Sequence, residues 1–261
     1  MGRGRPPCLP SVGTHPSSAS LRRAARPRRG VPLQVDSTIT HRWDLSIAGA
    51  RALQQRLAAK VSLVPFNRRS FIVAGTDVSF DDGHGRATAG VVAVRVPSLE
   101  TVAEAWGDAT LTFPYVPGFL SFREAPALLA ALEKLAVTPD ILMVDGQGIA
   151  HPRRFGIASH LGLLTGIPSV GCAKSRLIGE HRTPGGRRGS RAALRIGQEI
   201  IGAVVRTRDG VSPVYVSPGH LVDIGSAVRV VLACAVTRVP EPTRRAHILV
   251  TQVMRRAPAA R

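Results

Sequence analysis

Two of the seventeen acids in this chain stand where a carboxylate is costly. Asp77 lies inside Phe71-Ile-Val-Ala-Gly-Thr-Asp-Val-Ser-Phe80, and Asp145 ends the apolar run Ile141-Leu-Met-Val144, immediately before Gly146-Gln147-Gly148. A charge buried among apolar side chains is tolerated only when something pairs with it. If the two runs are neighbouring strands, the carboxylates converge near a sheet edge, where α/β proteins place ligands. Small, hard Mg²⁺ takes one or two carboxylates and completes its shell with water and substrate phosphate, so such a pair suits phosphodiester chemistry. Taken singly, Asp77 reads as well as a turn residue bonding backbone, and Asp145 as a helix cap. Glu124, in Ser121-Phe-Arg-Glu-Ala-Pro126, is a third candidate. Ser121-x-x-Glu124 has the form of a capping box, and Pro126 is at home in a first helical turn. Pro126 also disfavours helical geometry at Ala125, which would start the helix after Glu124 and leave that side chain free. The spacing supports both readings equally.

The surroundings are basic. Lys+Arg number 35 against 17 Asp+Glu, a net charge of +18, and only Lys60, Lys134 and Lys174 are lysines. A field of this sign concentrates nucleic acid without specifying a fold or a reaction. Seven arginines against the single acid Asp36 give residues 1–40 a share of +6, which leaves +12 with the remainder. That segment has six prolines in its first 35 positions and no apolar period, and reads as a disordered basic tail; a transit peptide or an over-extended start has the same composition. The longest apolar run, Val230 to Val236, is far short of the roughly 20 residues a bilayer crossing demands, which excludes an integral membrane protein. Cys8, Cys172 and Cys234 are too widely spaced for a disulfide framework or a metal clip and point to a reducing, cytoplasmic compartment.

The elements that must position the acids follow from periodicity. Trp43 to Val61 carries leucine and alanine at helical spacing. Phe71 to Phe80, Ala87 to Val96 and Thr101 to Trp106 read as an antiparallel three-strand meander. A helix over Ala127 to Leu135 leads to the buried strand Ile141 to Val144, which implies a parallel neighbour. A second helix, Phe155 to Leu164, precedes a short strand, Ser169 to Cys172. After a Gly/Arg loop at 182–191, Ile200 to Arg206 and Val211 to Val216 form a hairpin, and helices near Gly225 to Ala235 and Thr243 to Met254 end the chain. The inventory is α/β with a mixed sheet, in one folded unit spanning residues 41–258.

Several stretches, in order, resemble the endonuclease V family, the deoxyinosine 3′-endonucleases: Gly75-Thr-Asp77-Val-Ser-Phe80, Pro114-Tyr-Val-Pro-Gly-Phe-Leu-Ser-Phe-Arg-Glu124-Ala-Pro126, Val144-Asp-Gly-Gln-Gly-Ile-Ala-His-Pro-Arg-Arg154, Gly156-Ile-Ala-Ser-His160 and Gly171-Cys-Ala-Lys174. Pro240-Glu-Pro-Thr-Arg-Arg-Ala246 is similar to the start of that family's last helix. The resemblance implies a ribonuclease H-like fold: a mixed five-stranded central sheet flanked by helices, with an additional small hairpin. It implies Asp77, Glu124 and Asp145 as catalytic, metal-binding carboxylates around Mg²⁺, for which Mn²⁺ can substitute, with Lys174 and His220 as further catalytic residues. Tyr115 becomes a wedge that enters a base step, stiffened by the fixed φ of Pro114 and Pro117. Gly118, Gly146, Gly148 and Gly171 would let backbone approach an extruded base, with His151 also on the DNA.

The implied activity is DNA repair by a monomer: Mg²⁺-dependent nicking of the second phosphodiester 3′ to deoxyinosine after base flipping, leaving 3′-hydroxyl and 5′-phosphate ends. Gln147 stands where the family commonly has histidine, and Ser175 replaces the second lysine of Ala-Lys-Lys, which bears on a phosphate contact but not on the three acids. Two other readings compete: a ribonuclease H-like nuclease acting on inosine in RNA, and a non-catalytic basic nucleic-acid-binding protein. Gly166 and Gly171 have P-loop spacing, but Cys172-Ala173 separates Gly171 from Lys174, and no deaminase Pro-Cys-x-x-Cys occurs.

Overall fold

A computed structural model of the chain describes Met1 and residues 39–256. The expected tail therefore lies almost wholly outside the described residues, although Ile39 is already packed, 9% exposed, in an apolar cluster with Leu53, Leu57 and Phe155. Among the described residues no helix is long and apolar enough to cross a membrane.

Helix α1 (Ile47–Ala58) is capped by Ser46, whose hydroxyl accepts from the Gly49 amide. Strands β1 (Phe71–Asp81), β2 (Arg86–Val96) and β3 (Glu100–Thr110) form the expected meander. Helix α2 (Leu120–Glu133) crosses to β4 (Ile141–Val144), and α3 (Ile157–Thr165) crosses to β5 (Ser169–Ala173). Strands β6 (Arg191–Ile196), β7 (Glu199–Val205) and β8 (Val214–His220) follow, then α4 (Ile224–Cys234) and α5 (Glu241–Arg256).

All eight strands share one sheet, in the order β3-β2-β1-β4-β5-β8-β7-β6, with β1, β4 and β5 parallel. The run from β3 to β5 is the expected five-stranded centre. The hairpin of β7 and β8 joins it rather than standing apart, because β8 pairs with β5. Strand β6 extends the sheet beyond it; of its six residues only Leu194 is buried, so its apolar pattern is too thin to announce a strand. Alternation splits the core in two. Phe71, Val73, Ile141 and Met143 pack on the side of α4 and α5, whereas Ile72, Ala74, Leu142 and Val144 pack on the side of α2 and α3.

Helix α2 begins at Leu120, four residues before Glu124, so the capping box does not form and the helix does not wait until after Glu124, although that side chain is left without a hydrogen-bond partner. Phe119 occupies the cap position without a side-chain hydrogen bond, Ser121 lies inside the first turn with its hydroxyl buried and unpartnered, and Pro126 is accommodated within the helix. Burial of Phe119 and Phe122 against Phe113 outweighs the local preferences of serine and proline.

The segment ahead of α1 is held by two histidines. His41 Nδ1 donates to the Arg42 carbonyl at 2.7 Å, which leaves its Nε2 as an acceptor, 2.7 Å from Nε2 of the fully buried His160. His160 must then carry its proton on Nε2, and its Nδ1 has no partner among the aromatic rings of Trp43, Phe122 and Phe155. Burial pushes His160 well below the usual histidine value of 6.5, with the His41 ring adding to the effect, and burial lowers His41 as well. Unfolding returns both to ordinary values, so below about pH 6.5 the unfolded chain takes up protons that the folded one refuses. Their contribution to stability is full above that pH and declines as pH falls. The thermal midpoint is expected to drop between about pH 7 and pH 5. His41→Phe lowers the plateau but flattens the slope, and an equally steep slope in calorimetry of the variant would exclude the pair as its cause.

Candidate active site

The parallel register sets the acids side by side. Thr76 of β1 pairs with Val144 of β4, so the next step places Asp77 against Asp145, on strands about 4.8 Å apart, on the face that carries Val73 and Met143. Burial raises the pKa of Asp77, and the charge of Asp145 adds to the rise against the opposing effect of His247. Glu124 reaches the same place from α2. Its carboxyl accepts no hydrogen bond and is raised well above the ordinary value by burial, then by Asp145 and Asp77. The three negative groups therefore act on one another.

An ammonium and an imidazole answer them. Lys174, just past β5, brings Nζ to 2.5 Å from Asp145 Oδ2. Burial would lower the lysine, but the Asp145 hydrogen bond and the charges of Asp145 and Asp77 hold it above its ordinary value. His247 of α5 donates from Nδ1 to Asp77 Oδ2 at 2.8 Å. As the side chains stand, no three His, Cys, Asp or Glu among the described residues are gathered closely enough to ligate an ion. The donor chemistry nevertheless fits a hard divalent cation: all oxygen, mutually repelling, with Glu124 unpaired. Asp77 and Asp145 would exchange His247 and Lys174 for it.

Missing side chains bring His247 this close. A Cβ at Gly75 would fall 2.1 Å from the carbonyl carbon of Pro242, and one at Gly90 2.8 Å from the Ala246 carbonyl oxygen. Helix α5 thus lies directly on the β1 and β2 backbones, one turn from Asp77. Its first turn is fixed by Glu241, which accepts from Arg244 and Arg245.

Beside Asp145 and Lys174 opens a cavity of about 380 Å³, bordered by the strip from Pro114 to Gly118. Tyr115 stands 76% exposed at its rim. The strip ends in Gly118, at φ 81°, a left-handed conformation that suits glycine. The Gly118 carbonyl accepts from Arg153 Nη2 (2.7 Å), His151 Nε2 (2.9 Å) and Gln54 Nε2 (3.1 Å). His151 is buried, with its pKa lowered to about 4, chiefly by desolvation, so the neutral ring donates from Nε2 and accepts the Arg153 amide on Nδ1. Gln147 bridges Ser175 O and the Ser217 hydroxyl across the cavity wall.

Several expected residues lie elsewhere. His220 does not reach the acids: β8 runs antiparallel to β5, so Tyr215 pairs with Ala173 near Lys174, whereas His220 pairs with Ser169 at the far end of the strand and accepts the Ser62 amide. The histidine beside Asp77 is His247, one residue beyond the Pro240 to Ala246 segment, and nothing local distinguished it from any helical histidine. Gly148 and Gly171 serve packing rather than an open pocket; a Cβ would meet Pro218 O at 1.9 Å and Gly146 O at 2.6 Å, respectively. His151 faces the cavity wall but spends one ring nitrogen on the strip, at Gly118, and the other on the Arg153 amide. Gly146 and Gly118 do border the cavity, with Pro114 and Pro117.

The fold is that of ribonuclease H-like nucleases. The endonuclease V family model matches residues 55–248. Endonuclease V of Myxococcus xanthus is 50% identical over 216 residues, 82% of this chain and 92% of that protein. The crystal structure of endonuclease V from Streptomyces avermitilis superposes with a TM-score of 0.80 at 43% identity, covering 83% of this chain and 96% of that one. Endonuclease V of Ciona intestinalis, in complex with a 24mer DNA containing an inosine followed by a ribo-adenosine, superposes with a TM-score of 0.71 at 26% identity, covering 80% of this chain and 98% of that one. The chain belongs to the endonuclease V family and is a nuclease.

The seat of α5 is testable without substrate. Gly75→Ala must push the Pro242 backbone away, at a cost of about 1–3 kcal/mol in urea denaturation. The same shift separates His247 from Asp77, so nicking should fall further than the stability loss explains. Unchanged stability would mean that α5 does not rest on β1 here.

Proposed function

We propose that this protein is a DNA repair endonuclease that flips deoxyinosine out of the duplex and hydrolyses the second phosphodiester on its 3′ side, with Mg²⁺ as cofactor and Mn²⁺ able to replace it, as a monomer in the cytoplasm. The observation that carries the reading is the convergence of Asp77, Asp145 and the unpaired Glu124 beside a cavity with an exposed tyrosine at its rim. The relative from Ciona intestinalis, bound to inosine-containing DNA, supports the substrate.

In this reading Asp77, Asp145 and Glu124 hold the cation, which supplies Lewis acidity towards the attacking water and the leaving 3′ oxygen. Glu124 is driven towards its neutral form by burial and by the two aspartates, a penalty that reverses once positive charge lies among them. Lys174 is released from Asp145 to face a phosphate oxygen, where a compact ammonium neutralises charge. His247, its side chain largely open to solvent and one nitrogen on Asp77, is placed to pass the water's proton outwards. Tyr115, stiffened by Pro114 and Pro117 and anchored through Gly118, fills the gap left by the extruded base. Water adds its oxygen to phosphorus as the bond to the 3′ oxygen breaks; the water's proton leaves through His247 and the departing oxygen takes one from solvent, leaving a 5′-phosphate and a 3′-hydroxyl.

Nicking of an inosine-bearing duplex, with Mg²⁺ and with EDTA, tests this. Cutting two nucleotides from a single inosine is expected only with the metal, and Asp145→Asn should reduce it at least 100-fold while binding in Ca²⁺ persists, as expected for lost transition-state stabilisation. Full activity of the variant would leave the acids a structural role and favour a plain nucleic-acid binder contaminated by another nuclease. The ribo-adenosine in the Ciona intestinalis complex makes an RNA arm worthwhile: faster cutting of inosine RNA would reassign the substrate but not the site.

A further inference from the structure

A second groove lies on the same face as the acids. The register carries a row from Asp77 through Gly90 of β2 to Trp106 of β3. Paired residues in a ladder share a face, so Trp106 and Asp77 project on the same side, with α5 crossing between them. Past α5, Arg86, Thr88, Trp106, Asp108, Met254 and Arg256 enclose a cavity of about 340 Å³.

Its chemistry is not that of a finished core. Trp106 is 44% exposed, and Lys134 lies 5.2 Å from its ring centroid. Arg86 Nε is buried without a hydrogen-bond partner; the nearest influence of that guanidinium is its charge acting on Asp81. Arg256 is exposed at the end of α5. The one acid, Asp108, accepts the Thr88 hydroxyl. An exposed indole flanked by cations, one of them without a hydrogen-bond partner, is the arrangement by which proteins stack a base and face its phosphates.

Sheet order gives the direction. The cavity beside Tyr115 borders β4 and β5, the acids sit on β1 and β4, and this groove lies beyond them on β2 and β3. A strand with its extruded nucleotide in the first cavity and its scissile phosphate at Asp77 continues towards Trp106. Two strand spacings at about 4.8 Å, against about 3.4 Å per nucleotide along one DNA strand, make about three nucleotides the minimum span to the groove, and passage over α5 lengthens it. We propose that this groove binds the nucleic-acid strand 3′ of the cut, with a base on Trp106 and phosphates facing Arg86 and Arg256. The inference rests on the function proposed above, which fixes where the cut falls.

Trp43 and Trp106 are the two tryptophans, so Trp43→Phe leaves Trp106 as the sole indole emitter. Full-length protein in Ca²⁺ is titrated with inosine duplexes whose 3′ arm either extends ten nucleotides past the cut or ends at the first. Trp106 emission should be quenched by the long arm and not by the short. Trp106→Ala and Arg86→Gln should each weaken long-arm binding about tenfold and leave short-arm binding unchanged, with Trp106→Phe restoring most of the loss. Equal quenching by both arms, or equal losses on both, overturns the groove. Wild-type nicking of the long-arm duplex in Mg²⁺ checks the site separately: its absence would sink the proposed function, whatever the arms show in Ca²⁺.

Discussion

Like charge forced together where the pairing of β1 with β4 ends is the constraint on which the rest depends. Asp77 and Asp145 are fixed one strand spacing apart by a parallel ladder, not by flexible loops, and Glu124 is delivered to them by a helix whose first turn is locked in an aromatic cluster. Repulsion among carboxylates on so fixed a backbone cannot be relieved by drawing the strands apart. It is relieved by protonation, by the ammonium and imidazole that now answer it, or by a cation, and those alternatives exchange with one another. The site is therefore poised by its backbone, and its side-chain pairings are provisional.

The scaffold bears the strain of that arrangement through close backbone packing. Gly75 and Gly90 allow α5 to rest on the sheet, and Gly148 and Gly171 let the turn after β4 press against β5 and β8. These positions carry no chemistry, yet each fixes a main-chain distance on which a functional side chain depends. The buried pairing of Glu241 with two arginines serves the same end at the start of α5.

Much of this was legible in the residues. Acids inside apolar runs betrayed Asp77 and Asp145, because a buried charge needs a reason, and turn residues between β-branched runs gave the meander. Strand β6 was not legible, since an exposed edge has little apolar pattern to show. Local signals at Ser121 and Pro126 pointed away from a helix that tertiary burial of Phe119 and Phe122 imposes. The histidines are the most instructive case. His220 sits in a motif-like stretch, but motifs do not say which end of an antiparallel strand faces a ligand. His247 sits in an ordinary amphipathic helix, and only the three-dimensional approach of α5 gives it a carboxylate to meet.

The Gly118 carbonyl, with three donors from α1 and the turn after β4 converging on it, has a mechanical meaning. Prying apart a base step pushes back on the aromatic blade that does it, and a slack loop would recoil and dissipate the effort. If Tyr115 is that blade, as proposed above, the recoil passes along a proline-stiffened lever to a fulcrum of three hydrogen bonds and from there into the body of the molecule. The tip can stay open to solvent because its root cannot yield.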